Sequence, residues 1–401
     1  MSGARIGLLT YHRVVNEGSV LQAACLQRFL QARYPGAEVE VIDYRPARKE
    51  WTERLRVLSK HRPFIDRGHL PKMRQTRSFV AESLRLSCER CVTDDGDRAA
   101  RFIAAMGYDV VVVGSDTVWA DQAKVSKLPA PNAYFLPGPK NARHVAFAAS
   151  TDQSDRSRWR DARHVARLRD LVARFDAITV RDASTEADLV DWGVPAAHIA
   201  FMPDPTLLWD PSEFVTEPPP ALRALSRPLA LVAVSHGHLR RSATDALRNQ
   251  GYEVLNLLGP AAPGQRTLPA RTQFGERLAL FRLAAVVVTD RFHGSILALR
   301  LGHAVVVPVE RGSAYPDRAS KLRDLFARLG ADDLVWRHEV GSVDPDHLRA
   351  VLTGASRFTV LREHALPALV ASAEPGLARI DAVIGVPPRG RANAQGGHVA
   401  G

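Results

Sequence analysis

Short runs of β-branched residues alternate along the chain with stretches whose apolar positions recur every three or four residues. Arg5–Thr10 (RIGLLT) predicts a strand, and Val20, Ala23, Ala24, Leu26 and Leu30 place the buried face of a helix over Ser19–Arg33. Further strands are predicted at Glu38–Tyr44, Asp109–Gly114, Arg143–Ala149 and Ala177–Arg181, the last leading into a helix at Ser184–Trp192. Strands that alternate with helices imply a parallel sheet covered on both faces. The alternation stops at Pro203–Pro228, which holds seven prolines. It then resumes with strands at Leu229–Ser235, Tyr252–Leu258, Ala285–Thr289 and His303–Pro308. Between them the spacing predicts helices at Ser242–Asn249, Phe274–Arg282 and Ser295–Leu301, and two more follow at Ser320–Leu329 and Pro345–Leu352. The expected fold is therefore α/β, with two doubly wound domains facing a cleft. The first domain spans 1–205, a proline-rich linker 206–228 and the second domain 229–384, and a Gly/Ala/Asn/Gln-rich tail at 385–401 is expected to fray.

Composition narrows the class. A chain of 401 residues, 46% hydrophobic and 24% charged, can bury sizeable cores, which excludes a disordered chain, a collagen-like fibre and a disulfide scaffold. No apolar run approaches the ~20 residues of a membrane-spanning helix. The first residues enter a strand pattern at once, without a secretory apolar region. Three cysteines in such a length suit reduced thiols and a cytoplasmic location. The formal charge of +11 is uneven: residues 45–90 hold thirteen Lys or Arg against five Asp or Glu. That stretch reads as an insertion of short amphipathic helices on the first domain. It is either a solvated basic face or a collar for an anionic substrate or membrane surface. It lacks the aromatic interleaving and motif spacing of a nucleic-acid reader, so no nucleic-acid partner is expected.

Ligands of doubly wound sheets sit beyond the carboxyl ends of the strands, so those residues carry the chemistry. After Val286–Thr289 come Asp290, Arg291, Phe292, His293, Gly294 and Ser295. Arg291 can grip a phosphate or carboxylate, helped by free N–H groups at a helix start, and His293 suits proton transfer. The other reading pairs Arg291 with Asp290 and leaves His293 as a helix cap. Arg181 ends another strand, either to hold an anion or to pair with Asp182 or Glu186. Asp116, in Gly114-Ser115-Asp116, either caps a turn or orients a substrate hydroxyl. The loop after the first strand offers His12 and Asn16, with Gln22 one turn into the helix behind. Cys88-Glu89-Arg90-Cys91 reads as two thiols on one helix, and His236-Gly237-His238 lacks the companion ligands of a metal site. No metal is expected.

Together these strand-end motifs resemble the polysaccharide pyruvyl transferase family. The stretch Thr10-Tyr11-His12-Arg13-Val14-Val15-Asn16-Glu17-Gly18-Ser19-Val20-Leu21-Gln22 is similar to the family's opening motif. Val113–Ala120, Val180-Arg181-Asp182, Asp204–Leu208, Thr289–Gly294 and Ser320–Gly330 match its later motifs in order. The resemblance implies two Rossmann-like halves in a GT-B-like arrangement. It also implies phosphoenolpyruvate as co-substrate, with no other cofactor, and a sugar acceptor that is polymeric or lipid-linked. Carried over residue by residue, it makes Arg181 and Arg291 donor-binding and His293 catalytic. Thr117 and Ala120 replace the family's usual Gln and Asn, and Glu17 replaces a usual aromatic, so the acceptor side departs from the pattern. Two other readings stand beside it: a GT-B enzyme using a nucleotide-sugar, and a non-catalytic protein binding membrane or nucleic acid through 45–90.

Overall fold

The two valine runs of the sequence pattern lie inside two separate parallel sheets. The computed structural model describes residues 3–58, 69–122, 129–258, 266–269, 271–311, 319–338 and 345–385, so the tail expected to fray lies almost wholly outside the described residues. The first sheet comprises β1 (Arg5–Leu9), β2 (Glu38–Arg45), β3 (Leu86–Val92), β4 (Val110–Asp116), β5 (Arg143–Ala149), β6 (Ala177–Val180) and β7 (Ile199–Phe201). Its spatial order is β3-β2-β1-β4-β5-β6-β7. The second comprises β8 (Leu229–Ala233), β9 (Glu253–Asn256), β10 (Arg266–Thr267), β11 (Val286–Thr289), β12 (Val305–Arg311) and β13 (Trp336–His338), in the order β10-β9-β8-β11-β12-β13. Every pairing is parallel. Both sheets thus reverse their winding between the first and fourth strand, which opens a crevice at that point in each. β4 is buried at all seven positions, as a strand covered on both faces must be.

The first sheet carries α1 (Glu17–Arg33), α2 (Ala47–Leu58), α3 (His69–Ser83), α4 (Gly96–Ala105), α5 (Ala162–Val172) and α6 (Ala183–Asp191). A short α7 (Pro205–Leu208) precedes α8 (Gly237–Asn249), α9 (Phe274–Leu283), α10 (Phe292–Leu301) and α11 (Lys321–Arg328) of the second half. Three expectations are corrected. Residues 45–90 are not only helical: Leu86–Val92 forms edge strand β3, paired in parallel with β2. The thiols of Cys88 and Cys91 therefore fall on a strand, Cys88 exposed and Cys91 buried, where a spacing of three sends side chains to opposite faces. The prolines of 206–228 do not make a loose linker either. Asp204 and Asp210 cap short helices that open on Pro205 and Pro211, and Leu207, Phe214 and Leu222 join one hydrophobic core shared by both halves.

The third correction concerns the chain's return. Helices α12 (Pro345–Thr353), α13 (Ser356–Val360), α14 (Leu366–Ala371) and α15 (Glu374–Ile384) follow the second sheet, but α15 packs on β5, β6 and β7 of the first. Gly376 permits this approach, since a Cβ there would lie 2.9 Å from the Phe201 carbonyl oxygen. Asp381 anchors it by accepting from the guanidinium of Arg33 and from the Tyr34 hydroxyl, 2.5 Å away. Residues 374–384 thus belong structurally with the first sheet rather than the second. Among the described residues no helix is long and apolar enough to cross a membrane.

Candidate functional site

Between the halves lies a cavity of about 540 Å³, within the range of small-molecule sites. The first half contributes Tyr11 and Asn16 from the loop after β1, Glu17, Gly18 and Ser19 from the first turn of α1, Asp116 and Thr117 from the end of β4, and Gln153. The second contributes Asp290 to Gly294 after β11, Lys321 at the start of α11, and an apolar wall that includes Phe274, Leu278 and Phe281. Lysines and arginines outnumber carboxylates on the lining five to three, which favours an anionic ligand.

Beneath this cavity Asp204, the cap of α7, joins the halves. It is fully buried, and its Oδ2 accepts from Gln22 Nε2 at 2.5 Å and Arg181 Nη1 at 2.8 Å. His293 Nε2 stands 3.5 Å from the same oxygen, an ion-pair separation, and has no hydrogen-bond partner. Oδ1 accepts from Thr206 N and Oγ1. Burial would push this carboxyl up, but His293 and Arg181 hold it well below the usual carboxylate range. Asp116 is similar. Its Oδ2 accepts from Ser19 Oγ at 2.5 Å and its Oδ1 from Thr117 N at 2.7 Å. Burial opposes ionisation, yet Lys321, Arg181 and His293 lower the group to about 2, so the carboxylate is ionised at neutral pH. Asp116 adopts φ +80°, a left-handed conformation uncommon for a non-glycine residue, which turns it at the strand end.

Arg181 is 3% exposed, and its ion partner is neither Asp182 nor Glu186 but Asp204. Asp182 instead caps α6. Burial would lower the guanidinium pKa, but Asp204, Asp116 and Asp182 raise it. Its Cζ lies 4.9 Å from the Phe292 ring centroid, and its Nε and Nη2 are buried without hydrogen-bond partners. Arg181 is not among the cavity-lining residues; Phe292 and His293 line the cavity. Arg291 does line it, half-exposed, while pairing with Asp290 at 3.2 Å and donating to Ser235 Oγ at 2.6 Å. The expected pairing with Asp290 is therefore present, on a side chain that also borders the cavity.

The sequence pattern places the start of α10 at Ser295, whereas the helix begins at Phe292 with Arg291 as its N-cap residue. His293 is therefore inside the first turn, not a cap, beside N–H groups that no intrahelical carbonyl satisfies. Gly294 lets the turn pack on Thr289, and Gly18 leaves space for the His293 ring. A Cβ on Gly294 would lie 2.7 Å from Thr289 Oγ1, and one on Gly18 would lie 2.2 Å from His293 Nδ1.

The remaining candidates separate. Asn16 is the N-cap residue of α1 and lines the cavity. Gln22 serves the web under it through Asp204. His12 faces away, its Nδ1 3.0 Å from the Thr10 carbonyl and its Nε2 3.1 Å from Asp43 Oδ1. Glu17 pairs with Lys72 at 3.5 Å and Arg277 at 2.7 Å, a bridge between the halves. Thr117 lines the cavity and Ala120 does not. Sequence reasoning left Asp204 and Lys321 off the candidate set although both stand inside matched motifs. Lys321 lines the cavity with its Nζ 3.3 Å from Asp152 Oδ2. Among the described residues no three metal-ligating side chains gather, and His236 and His238 find no third ligand.

Comparison with known proteins bears on the fold and the family. The fold is similar to that of a putative UDP-N-acetylglucosamine 2-epimerase from Listeria monocytogenes, with a TM-score of 0.57 and 11% identity over 95% of this chain and 96% of that one. It is also similar to the UDP-GlcNAc 2-epimerase of Methanocaldococcus jannaschii, at 0.52 and 10% over 88% and 92%. That of Neisseria meningitidis, bound to UDP-GlcNAc, scores 0.51 at 8% over 94% and 99%. At such identities the likeness establishes a GT-B-like architecture and nothing about substrate. A search of curated protein sequences returns no match. The sequence profile of the polysaccharide pyruvyl transferases matches residues 16–309, from Asn16 in the opening motif past His293, and the chain belongs to that family.

Proposed function

We propose that the protein transfers the enolpyruvyl unit of phosphoenolpyruvate to two hydroxyls of a sugar, in a polysaccharide or its lipid-linked precursor, forming a pyruvate ketal and free phosphate. The observation that carries this reading is His293. It lines the cavity from the first turn of α10, and its Nε2 stands 3.5 Å from Asp204 Oδ2 of the other half. In the proposed reaction protonated His293 gives its proton to the methylene carbon, which becomes a methyl group. The cationic carbon beside it then takes up one sugar oxygen. Phosphate departs, the second hydroxyl closes the ketal, and the two hydroxyl protons pass to His293 and to the departing phosphate. Arg291, Lys321 and the first-turn amides of α10 hold the phosphate and carboxylate. Arg181 acts from behind, keeping Asp116 and Asp204 ionised. Asp116, facing the cavity, accepts a hydrogen bond from an acceptor hydroxyl. The scheme uses phosphoenolpyruvate as co-substrate and calls on no further cofactor. A cytoplasmic location belongs to the same proposal, with 45–90 against the anionic inner face of the membrane when the acceptor is lipid-linked.

The test is phosphate release from phosphoenolpyruvate by the purified protein across a panel of pyranosides, with the product mass read for the ketal. Acceptor-dependent release together with that product supports the reading. Stabilisation by a nucleotide-sugar, with no release from phosphoenolpyruvate, would overturn it in favour of a nucleotide-sugar enzyme.

A further inference from the structure

At the edge of the cavity, away from His293, arginines gather around Asp43 and Glu50. Arg13 follows β1 and Arg45 ends β2, and both lean on Asp43: Arg13 Nη2 is 3.0 Å from Oδ2 and Arg45 Nε is 3.2 Å from Oδ1. His12 uses the same carboxylate. Arg45 Nη1 reaches Glu50 Oε2 at 2.9 Å, and Arg90 approaches that glutamate at 3.9 Å. Among the described residues, Asp43 and Glu50 thus serve the guanidinium groups of Arg13, Arg45 and Arg90. The Arg45 side chain is only 8% exposed, yet its Nη2 is buried without a hydrogen-bond partner, and so is Arg13 Nε. Unmet N–H groups on a buried cation are costly, and an anionic oxygen is the acceptor that satisfies them best. The electrostatics agree. Burial and Arg45 pull the Arg13 pKa down, Asp43 opposes them, and Arg90 and Arg77 add to the depression.

Arg13 and Arg45 line a hollow of about 20 Å³, room for one water-sized group. Tyr11, Val14, Pro46 and Lys49 line both this hollow and the main cavity, so the two adjoin. At the junction the Lys49 ammonium stands 4.1 Å from the Tyr11 ring centroid. One oxygen of a larger anion fits the hollow while the rest of the molecule lies in the cavity.

We propose that Arg13, Arg45 and Lys49 form an anion subsite for the acceptor, taking a phosphate oxygen of a sugar carried on a diphosphate. This rests on the reaction proposed above, because the donor's anions are assigned to Arg291 and Lys321 on the opposite half. The same diphosphate chemistry occurs in lipid-linked and nucleotide-linked sugars.

The experiment is calorimetric titration of the full-length protein with inorganic pyrophosphate, on wild type and on Arg13→Gln, Lys49→Gln and Arg291→Gln, each checked for an intact unfolding transition. Arg13 and Lys49 are the partly exposed members, so these variants keep the buried Arg45 in place. The subsite predicts pyrophosphate binding that weakens about tenfold in Arg13→Gln and in Lys49→Gln but persists in Arg291→Gln. No binding to wild type, an unchanged Kd in Arg13→Gln, or loss in Arg291→Gln instead would overturn it. Binding needs no turnover, so it stands or falls separately from the phosphoenolpyruvate reaction. With turnover, both lipid-linked and nucleotide-linked diphosphate sugars must lose their kcat/KM advantage over the free sugar in Arg13→Gln, and the better of the two identifies the source.

Discussion

The two halves of the cleft share one strand order but place their charges differently. On the first half Asp204 and Asp116 are buried, ionised and held by donors: Gln22, Arg181 and Thr206 for one, Ser19 and Thr117 for the other. On the second half Arg291 is half-exposed and His293 lines the cavity with a 3.5 Å ion-pair contact from Nε2 to Asp204. The first half is therefore a preorganised electrostatic frame, and the second brings a half-exposed guanidinium and an imidazole to the cavity. His293 belongs to the second by sequence and to the first by environment, since Asp204 and the space above Gly18 decide where its ring sits. Neither half holds the site alone.

Breaking the frame should have the largest effect. Asp204→Ala leaves Arg181 buried without its nearest counter-charge, and removal of one partner of such a pair costs about 3–5 kcal/mol. Chemical denaturation should show that loss. A variant within about 0.5 kcal/mol of wild type would show that the web is not structural. Gly18→Ala comes next, because its methyl group would occupy the place of the His293 ring. A displacement of about 1 Å can cost about 100-fold, so kcat should fall by that order while the unfolding midpoint moves little. An unchanged kcat would mean that His293 need not sit where it does.

Arg291→Gln probes the second half. Its side chain is half-exposed and held by Asp290 and Ser235, so stability should hold while the KM for phosphoenolpyruvate rises about tenfold. The mildest test is pH. His144, on β5, is buried, and burial, Lys140 and Arg174 lower it from 6.5 to about 4. Its pKa falls on folding, so the unfolded chain takes the proton first, and stability drops as pH falls from about 6.5 to 4. Asp116, lowered from 3.8 to about 2, contributes stability above pH 4 that is lost as pH falls towards 2. Both groups lie in the first half. Denaturant midpoints should therefore decline between pH 6.5 and 4 in wild type and decline less in His144→Phe. Equal declines would remove His144 as the cause.

Much of the fold is legible in the sequence. Nine strands announce themselves as β-branched runs, and Arg291 and His293 stand out because they end one of them. The strands that escaped notice are short or polar. β7 and β13 have three residues each, β10 has two, and β3 is an edge strand whose central residues face water. The return of α15 to the first sheet was invisible because its partners, such as Arg33 and Tyr34, lie almost 350 residues earlier. Asp204 was overlooked for the same reason. Its role depends on Gln22, Arg181 and His293 converging on one oxygen, and a local pattern suggested Asp182 for Arg181 instead. Spacing identifies which residues end strands; it does not say which strand ends meet.

The central claim is that His293, set by Asp204 across the cleft, protonates the donor's methylene carbon. The most direct test is turnover of phosphoenolpyruvate and acceptor in D2O by wild type and His293→Ala, with NMR of the product. The account predicts one solvent deuterium in the new methyl group for wild type, and a fall in rate of about 10²–10⁴ in the variant with folding intact. Undiminished turnover by His293→Ala, or a methyl group free of solvent deuterium, would contradict it.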